Sequence, residues 1–98
     1  MPTKQVIKNK NLPIIDDMRI TVNQAVTKRI RQLLAEKKIT MYRLALNSGI
    51  LHSTLNRIMK DKHNSSKLIT LIQIAGGFDM TIWDFLNDPL FEEDNLKL

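Results

Sequence analysis

Residues Met41 to Lys60, MYRLALNSGILHSTLNRIMK, read as two short helices joined by a tight turn. Leu44 and Ala45 fall in the middle of the first helix, and Gly49-Ile50 makes the turn. Leu55 and Ile58 lie three apart on one face of the second helix. Helices that cross steeply must approach closely, and a residue as small as Ala45 permits it. Gly49 can take a positive φ at little steric cost, which a sharp reversal often needs. Leu44, Ile50, Leu55 and Ile58 then make a shared buried face. The other face of the second helix presents His52, Ser53, Asn56, Arg57 and Lys60. Each of these can form hydrogen bonds, and two are cationic.

Moving outward, the flanks continue in helical patterns. Thr21-Val22-Asn23-Gln24 forms a capping box, which predicts a helix from Val22 to Lys37. Val22, Val26, Ile30, Leu33 and Leu34 form its core stripe, with Lys28, Arg29 and Arg31 covering the rest. Lys37 and Lys38 suit the negative pole of that helix. Thr40 is the expected cap of the first motif helix. Tyr42, near its start, reads as a half-buried packing residue. Beyond the motif, residues 60–66 are polar and loop-like. Ser65 or Ser66 is expected to cap a fourth helix, Lys67 to Ala75, with Leu68, Leu71, Ile72 and Ala75 inward and Gly76-Gly77 as its stop. A fifth helix is expected from Thr81 to Asn87, ended by Pro89, with Trp83 at the core or its edge. Residues 1–20 are lysine-rich and read as a flexible arm. Residues 89–98 read as a tail that frays or pairs with a second chain.

Ninety-eight residues suit one domain with one modest core. There is no cysteine, hence no disulfide framework and no thiolate metal site. No apolar run approaches the ~20 residues of a membrane span. No apolar stretch of a secretory signal follows the first lysines, so the cytoplasm is the expected location. Net charge is +5, unevenly spread. Residues 21–63 carry nine Lys/Arg against two acids, while residues 64–98 carry two against six. A basic half beside an acidic end suggests a polyanionic partner for the first half.

The stretch from Met41 resembles the helix-turn-helix of phage repressor and Cro proteins, the XRE family. Counting Met41 as the first motif position, the apolar fourth, small fifth, glycine ninth, and apolar tenth, fifteenth and eighteenth all match. The resemblance spans about Val22 to Asp88. It departs at Met41, where the family often has Gln, and at Leu51, where it usually has a Ser or Thr cap. It implies an all-α, compact five-helix bundle of the phage-repressor DNA-binding type with a helix-turn-helix, preceded by a flexible arm. Its domains would be an arm over residues 1–20, a DNA-binding unit over 21–88 and a tail over 89–98.

The resemblance also implies a mechanism. The helix His52 to Met59 would enter the major groove of double-stranded DNA, its N-terminal end toward the bases. His52, Ser53, Asn56 and Arg57 would read base edges. Arg57 has the best chemistry, since its fork can donate twice to guanine O6 and N7. Leu51 can press on a thymine methyl. Arg43, Lys60, Lys62 and Asn64 would hold phosphates. The family usually doubles its reading by dimerising on a two-fold operator, so the resemblance implies a possible homodimer. The reading favours a repressor acting by occupancy. The alternative is an antitoxin-like protein-interaction module that masks a partner with its arm or tail. Lys4, Lys8 and Lys10 of the arm could follow the DNA backbone.

No enzyme is expected. No glycine-rich phosphate loop is followed by Lys-Ser/Thr, and His52 and His63 stand apart from any carboxylate pair at ligand spacing. No metal and no cofactor are expected. Asp16-Asp17 and Glu92-Glu93-Asp94 read as solvated surface.

Overall fold

The computed structural model describes residues 18–98, so the calls on the arm that fall on residues 1–17 lie outside the described residues. Helix α1 spans Val22–Lys37, α2 Met41–Ser48, α3 His52–Lys60, α4 Leu68–Gly77 and α5 Ile82–Leu86. Two short strands, β1 (Ile20–Thr21) and β2 (Leu96–Lys97), pair in parallel.

The predicted capping chemistry sets α1. The Thr21 hydroxyl accepts from the Gln24 amide at 3.1 Å, and the Thr21 amide donates to Gln24 Oε1 at 2.9 Å. At the other end Lys38 takes a left-handed φ of 56°. Thr40 caps α2 by accepting from the Arg43 amide at 3.0 Å, and Thr81 caps α5 by accepting from Asp84 at 3.1 Å. Each side-chain cap of this kind contributes about 1 kcal/mol.

One core unites the helices. Val26, Ile30 and Leu33 of α1 meet Leu44 and Ala45 of α2, Leu55 of α3, Ile74 and Ala75 of α4, and Phe85 of α5. Met41 packs half-buried against this core. Its side chain thus helps to seat α2 from within.

The structure corrects several expectations from the sequence. Helix α4 runs through Gly76 and Gly77, neither of which has a positive φ. The chain turns instead at Asp79, with φ 60°. Gly77 serves a different need: a Cβ there would stand 2.0 Å from Ser48 Oγ, so its bareness lets α4 lie against α2. No serine caps α4; Lys67 holds the cap position without a side-chain bond. The inward face is Leu71, Ile74, Ala75 and Gly77, while Leu68 and Ile72 point to solvent. An almost wholly apolar stretch carries no period, so only its neighbours fix which side faces in.

Arg29 is not a surface cation. It is 9% exposed, and its Nε donates to the Phe85 carbonyl at 2.7 Å. Its Nη2 donates to the Asp84 carbonyl at 2.9 Å, and Nη1 pairs with Asp88 at 3.3 Å. One fork therefore satisfies the open end of α5. Trp83, expected near the core, is 78% exposed.

The tail is folded. Pro89 opens a 3-10 turn, Pro89–Phe91, capped by Asp88, which accepts from the Leu90 amide at 2.9 Å. Phe91 rests on Phe85 with ring centroids 6.1 Å apart. After a second 3-10 turn at Glu93–Asn95, Leu96 is buried opposite Ile20.

Candidate nucleic-acid interface

The turn between α2 and α3 is built as the sequence indicates. Gly49 adopts φ 73°, and the Ile50 amide donates to the Ala45 carbonyl at 3.2 Å. Ala45 is buried at this crossing. Helix α3 is amphipathic, with Leu55 fully buried and Ile58 and Met59 half-buried against the core. Its other face carries His52, Ser53, Arg57 and Lys60, all exposed, with Asn56 half-buried beside them. Arg43 on α2 is exposed and, among the described residues, makes no ion pair. No acid occurs between residues 41 and 60. The face is thus a row of donors with uncompensated positive charge.

Tyr42 is 59% exposed, not half-buried, because it leans outward on His52. The two rings meet edge to face with centroids 5.7 Å apart. This contact restricts the His52 ring at the leading end of α3.

Behind the loop after α3, the start of α1 acts as a clamp. The Asn23 amide group donates to the Ile58 carbonyl at 3.0 Å and also to the Asp61 carbonyl. Thr21 Oγ1 donates to the Lys62 carbonyl at 2.6 Å. Ser66 Oγ lies 3.4 Å from Asn23 Oδ1. With its carbonyls held from within, the loop leaves Lys60, Lys62 and Asn64 exposed. Asn23 and Thr21 are supports of this loop that helical periodicity could not reveal, since their partners lie about 40 residues away.

Asp61 shapes the loop itself. Its carboxylate accepts from the His63 and Asn64 amides, each at 3.0 Å, and from the Asn64 side chain at 3.1 Å. The Asn64 amide first, then that of His63, hold its carboxyl below the usual carboxylate range. A depressed value stabilises the fold above ordinary carboxylate titration, and that stability is lost as pH falls through the depressed value. Asp61→Ala should therefore lower the urea midpoint at pH 7, and this loss should shrink as pH falls through the depressed value. A shift that stays the same across the acid range would show that the charge plays no part. The sequence signal for this turn was an Asp directly after the helix, followed by polar residues.

A depression of about 350 Å³ between α3, this loop and the start of α4 gathers Arg57 and Asn64, with Thr54, Lys67 and Thr70 at its walls. His52 and Ser53 lie at the other end of α3, and Arg43 stands on α2.

Comparison with known proteins places this geometry. The sequence profile of the Cro/C1-type helix-turn-helix DNA-binding domain matches residues 29–89. The chain belongs to this family. It is a DNA-binding regulator of transcription, as the resemblance of Met41 to Lys60 implied. The fold of this Cro/C1-type domain is similar to that of the prophage Lp1 protein 11, with a TM-score of 0.66 and 22% identity over 76% of this chain and 97% of that one. It is also similar to the restriction-modification controller protein C.AhdI from Aeromonas hydrophila, with a TM-score of 0.55 and 22% identity over 64% of this chain and 94% of that one. No match was found among curated protein sequences. Among the described residues, no helix of the Cro/C1-type domain is long and apolar enough to cross a membrane.

Proposed function

We propose that this Cro/C1-type domain reads a specific sequence in double-stranded DNA and represses transcription in the cytoplasm by occupying its operator. The observation that carries this reading is the acid-free outer face of α3 on a scaffold that holds it rigidly from behind. Helix α3 lies in the major groove with its His52 end toward the bases. His52, Ser53, Asn56 and Arg57 read base edges, Arg57 by donating twice to a guanine. Leu51, 71% exposed at the cap position, packs on a thymine methyl. Arg43, Lys60, Lys62 and Asn64 bind phosphates and set affinity without reading sequence. Lys67 belongs with them, since it borders the same depression as Arg57 and Asn64.

The reading is tested by selecting bound fragments from a random DNA pool at near-physiological salt, with Arg57→Ala in parallel. The wild type should recover a motif, and the variant should lose about 1–3 kcal/mol of discrimination at one position. Recovery of the same featureless pool by both proteins, with binding that vanishes as salt rises, would reduce the face to a polyanion surface. Repression is then tested by placing the recovered motif across a promoter. Unchanged reporter output would refute action by occupancy.

A further inference from the structure

The strand pair brings the tail to the loop that follows α3. Strand β2 lies beside β1, with Leu96 opposite Ile20 and Lys97 opposite Thr21. Residues paired across neighbouring strands point to the same side of a sheet, and successive residues point to opposite sides. The first pair faces inward, since Leu96 is buried and Ile20 half-buried. The second pair therefore faces the other way. Thr21 marks that direction, because its Oγ1 donates to the Lys62 carbonyl at 2.6 Å. The side chain of Lys97 thus leaves the strand on the side of the loop that carries Lys60, Lys62 and Asn64. Lys97 is exposed and makes no ion pair among the described residues. The one acid of the loop, Asp61, is already turned to the His63 and Asn64 amides.

We infer that Lys97 is a further phosphate-binding residue, so that the DNA contact runs from α3 across the loop and onto β2. The inference rests on the DNA reading proposed above and extends it to a segment that the sequence left as tail. Distance supports it. Neighbouring strands lie about 4.8 Å apart, so Lys97 starts one strand spacing from a residue that touches the Lys62 backbone. The long, flexible stem of a lysine spans the rest. Chemistry supports it as well. A compact charge with three donors asks for no fixed geometry, which suits a phosphate oxygen better than a base edge. Residues 60–67 already carry three lysines against one acid, and Lys97 lengthens that row. The acids of the tail fall in the residues before β2, two of them in the turn Glu93–Asn95. Pairing with β1 also holds the Lys97 main chain, so binding has only side-chain freedom left to remove.

The test is the salt dependence of DNA affinity for the full chain, measured from about 50 to 200 mM salt. Two duplexes of equal length are used, one with the motif recovered by the wild type and one of arbitrary sequence. The second reports the slope whether or not a motif is recovered. Lys97→Ala should lower the slope of log affinity against log salt by about 1 on both duplexes and leave the ratio between them unchanged. Lys97→Arg should restore it. Lys62→Ala should give a loss of similar size, which checks the underlying reading. Lys37→Ala removes the same charge at the far end of α1, about 24 Å along the helix from Thr21, and should keep the wild-type slope. Both Lys97 and Lys37 are exposed, so circular dichroism of their variants should match the wild type. A wild-type slope for Lys97→Ala beside a lowered one for Lys62→Ala would overturn the inference and leave the reading intact. Equal losses for Lys97→Ala and Lys37→Ala would reduce the effect to net charge and overturn it too. Wild-type slopes for both Lys62→Ala and Lys97→Ala would sink the inference together with the phosphate contacts of the loop.

Discussion

Replacing Arg29 with alanine should cost the fold about 3–5 kcal/mol, the range for removing one partner of a buried ion pair. The loss has two sources. Asp88 keeps its charge without its guanidinium, and the carbonyls of Asp84 and Phe85 lose donors at 2.9 and 2.7 Å. Helix α5 is only five residues long, so few bonds of its own hold it in place. Phe85, which it carries into the core, depends on that placement. Arg29→Lys keeps the charge but not the fork, and should fall between alanine and wild type. Denaturant unfolding followed by circular dichroism gives the comparison. A loss under about 1 kcal/mol for alanine would mean that water replaces the fork at little cost. Because Arg29 is buried away from the outer face of α3, DNA affinity of the folded variant should not change.

Gly77→Leu should leave little native protein, and Gly77→Ala should show why. A Cβ at this position would lie 2.0 Å from Ser48 Oγ, 3.0 Å from Leu44 Cδ1 and 3.1 Å from the Leu44 carbonyl oxygen. Overpacking of this kind typically costs about 1–3 kcal/mol for small insertions and more for large ones. Alanine recovers up to about 1 kcal/mol of helix propensity, which offsets part of the loss. Leucine recovers a similar amount but drives a branched side chain into the α2–α4 contact. Ser48 makes the mechanism testable. Its hydroxyl is buried without a hydrogen-bond partner among the described residues, so Ser48→Ala alone should be neutral or slightly stabilising. In combination with Gly77→Ala it should restore part of the lost stability. If the two effects simply add in a double-mutant cycle, the clash is not with Ser48.

These residues mark where local sequence stops specifying structure. The bounds of α1 and α2 were legible because Thr21, Gln24 and Thr40 act within one turn of themselves. The turn at Gly49 was legible because the backbone there demands a left-handed residue. Leu55 and Ile58 could be oriented because polar positions separate them. By contrast, LITLIQIAGG offers nearly every position as core, so the side that faces α2 was fixed only by close approach at Gly77. Arg29 looked like its neighbours Lys28 and Arg31 until α5 arrived beside it. The tail was unreadable for the same reason, since Leu96 is buried by residues at the opposite end of the described chain. On the outer face of α3, the placement of His52, Ser53, Asn56 and Arg57 was visible in the helical spacing. The Tyr42–His52 contact and the clamp from Asn23 and Thr21 were not, because they join separate elements.

The pairing of β1 with β2 also bears on how the molecule forms and comes apart. Ile20 meets Leu96, so the contact closes a loop that encloses all five helices. Helices assemble from neighbours, whereas this contact must wait until the intervening chain is compact. It is therefore expected to form late on the route to the native state. Strength added to a contact that forms late should be felt as slower unfolding, with the speed of folding almost untouched. Two residues of strand on either side of the five helices would thus act as a latch on the lifetime of the folded state.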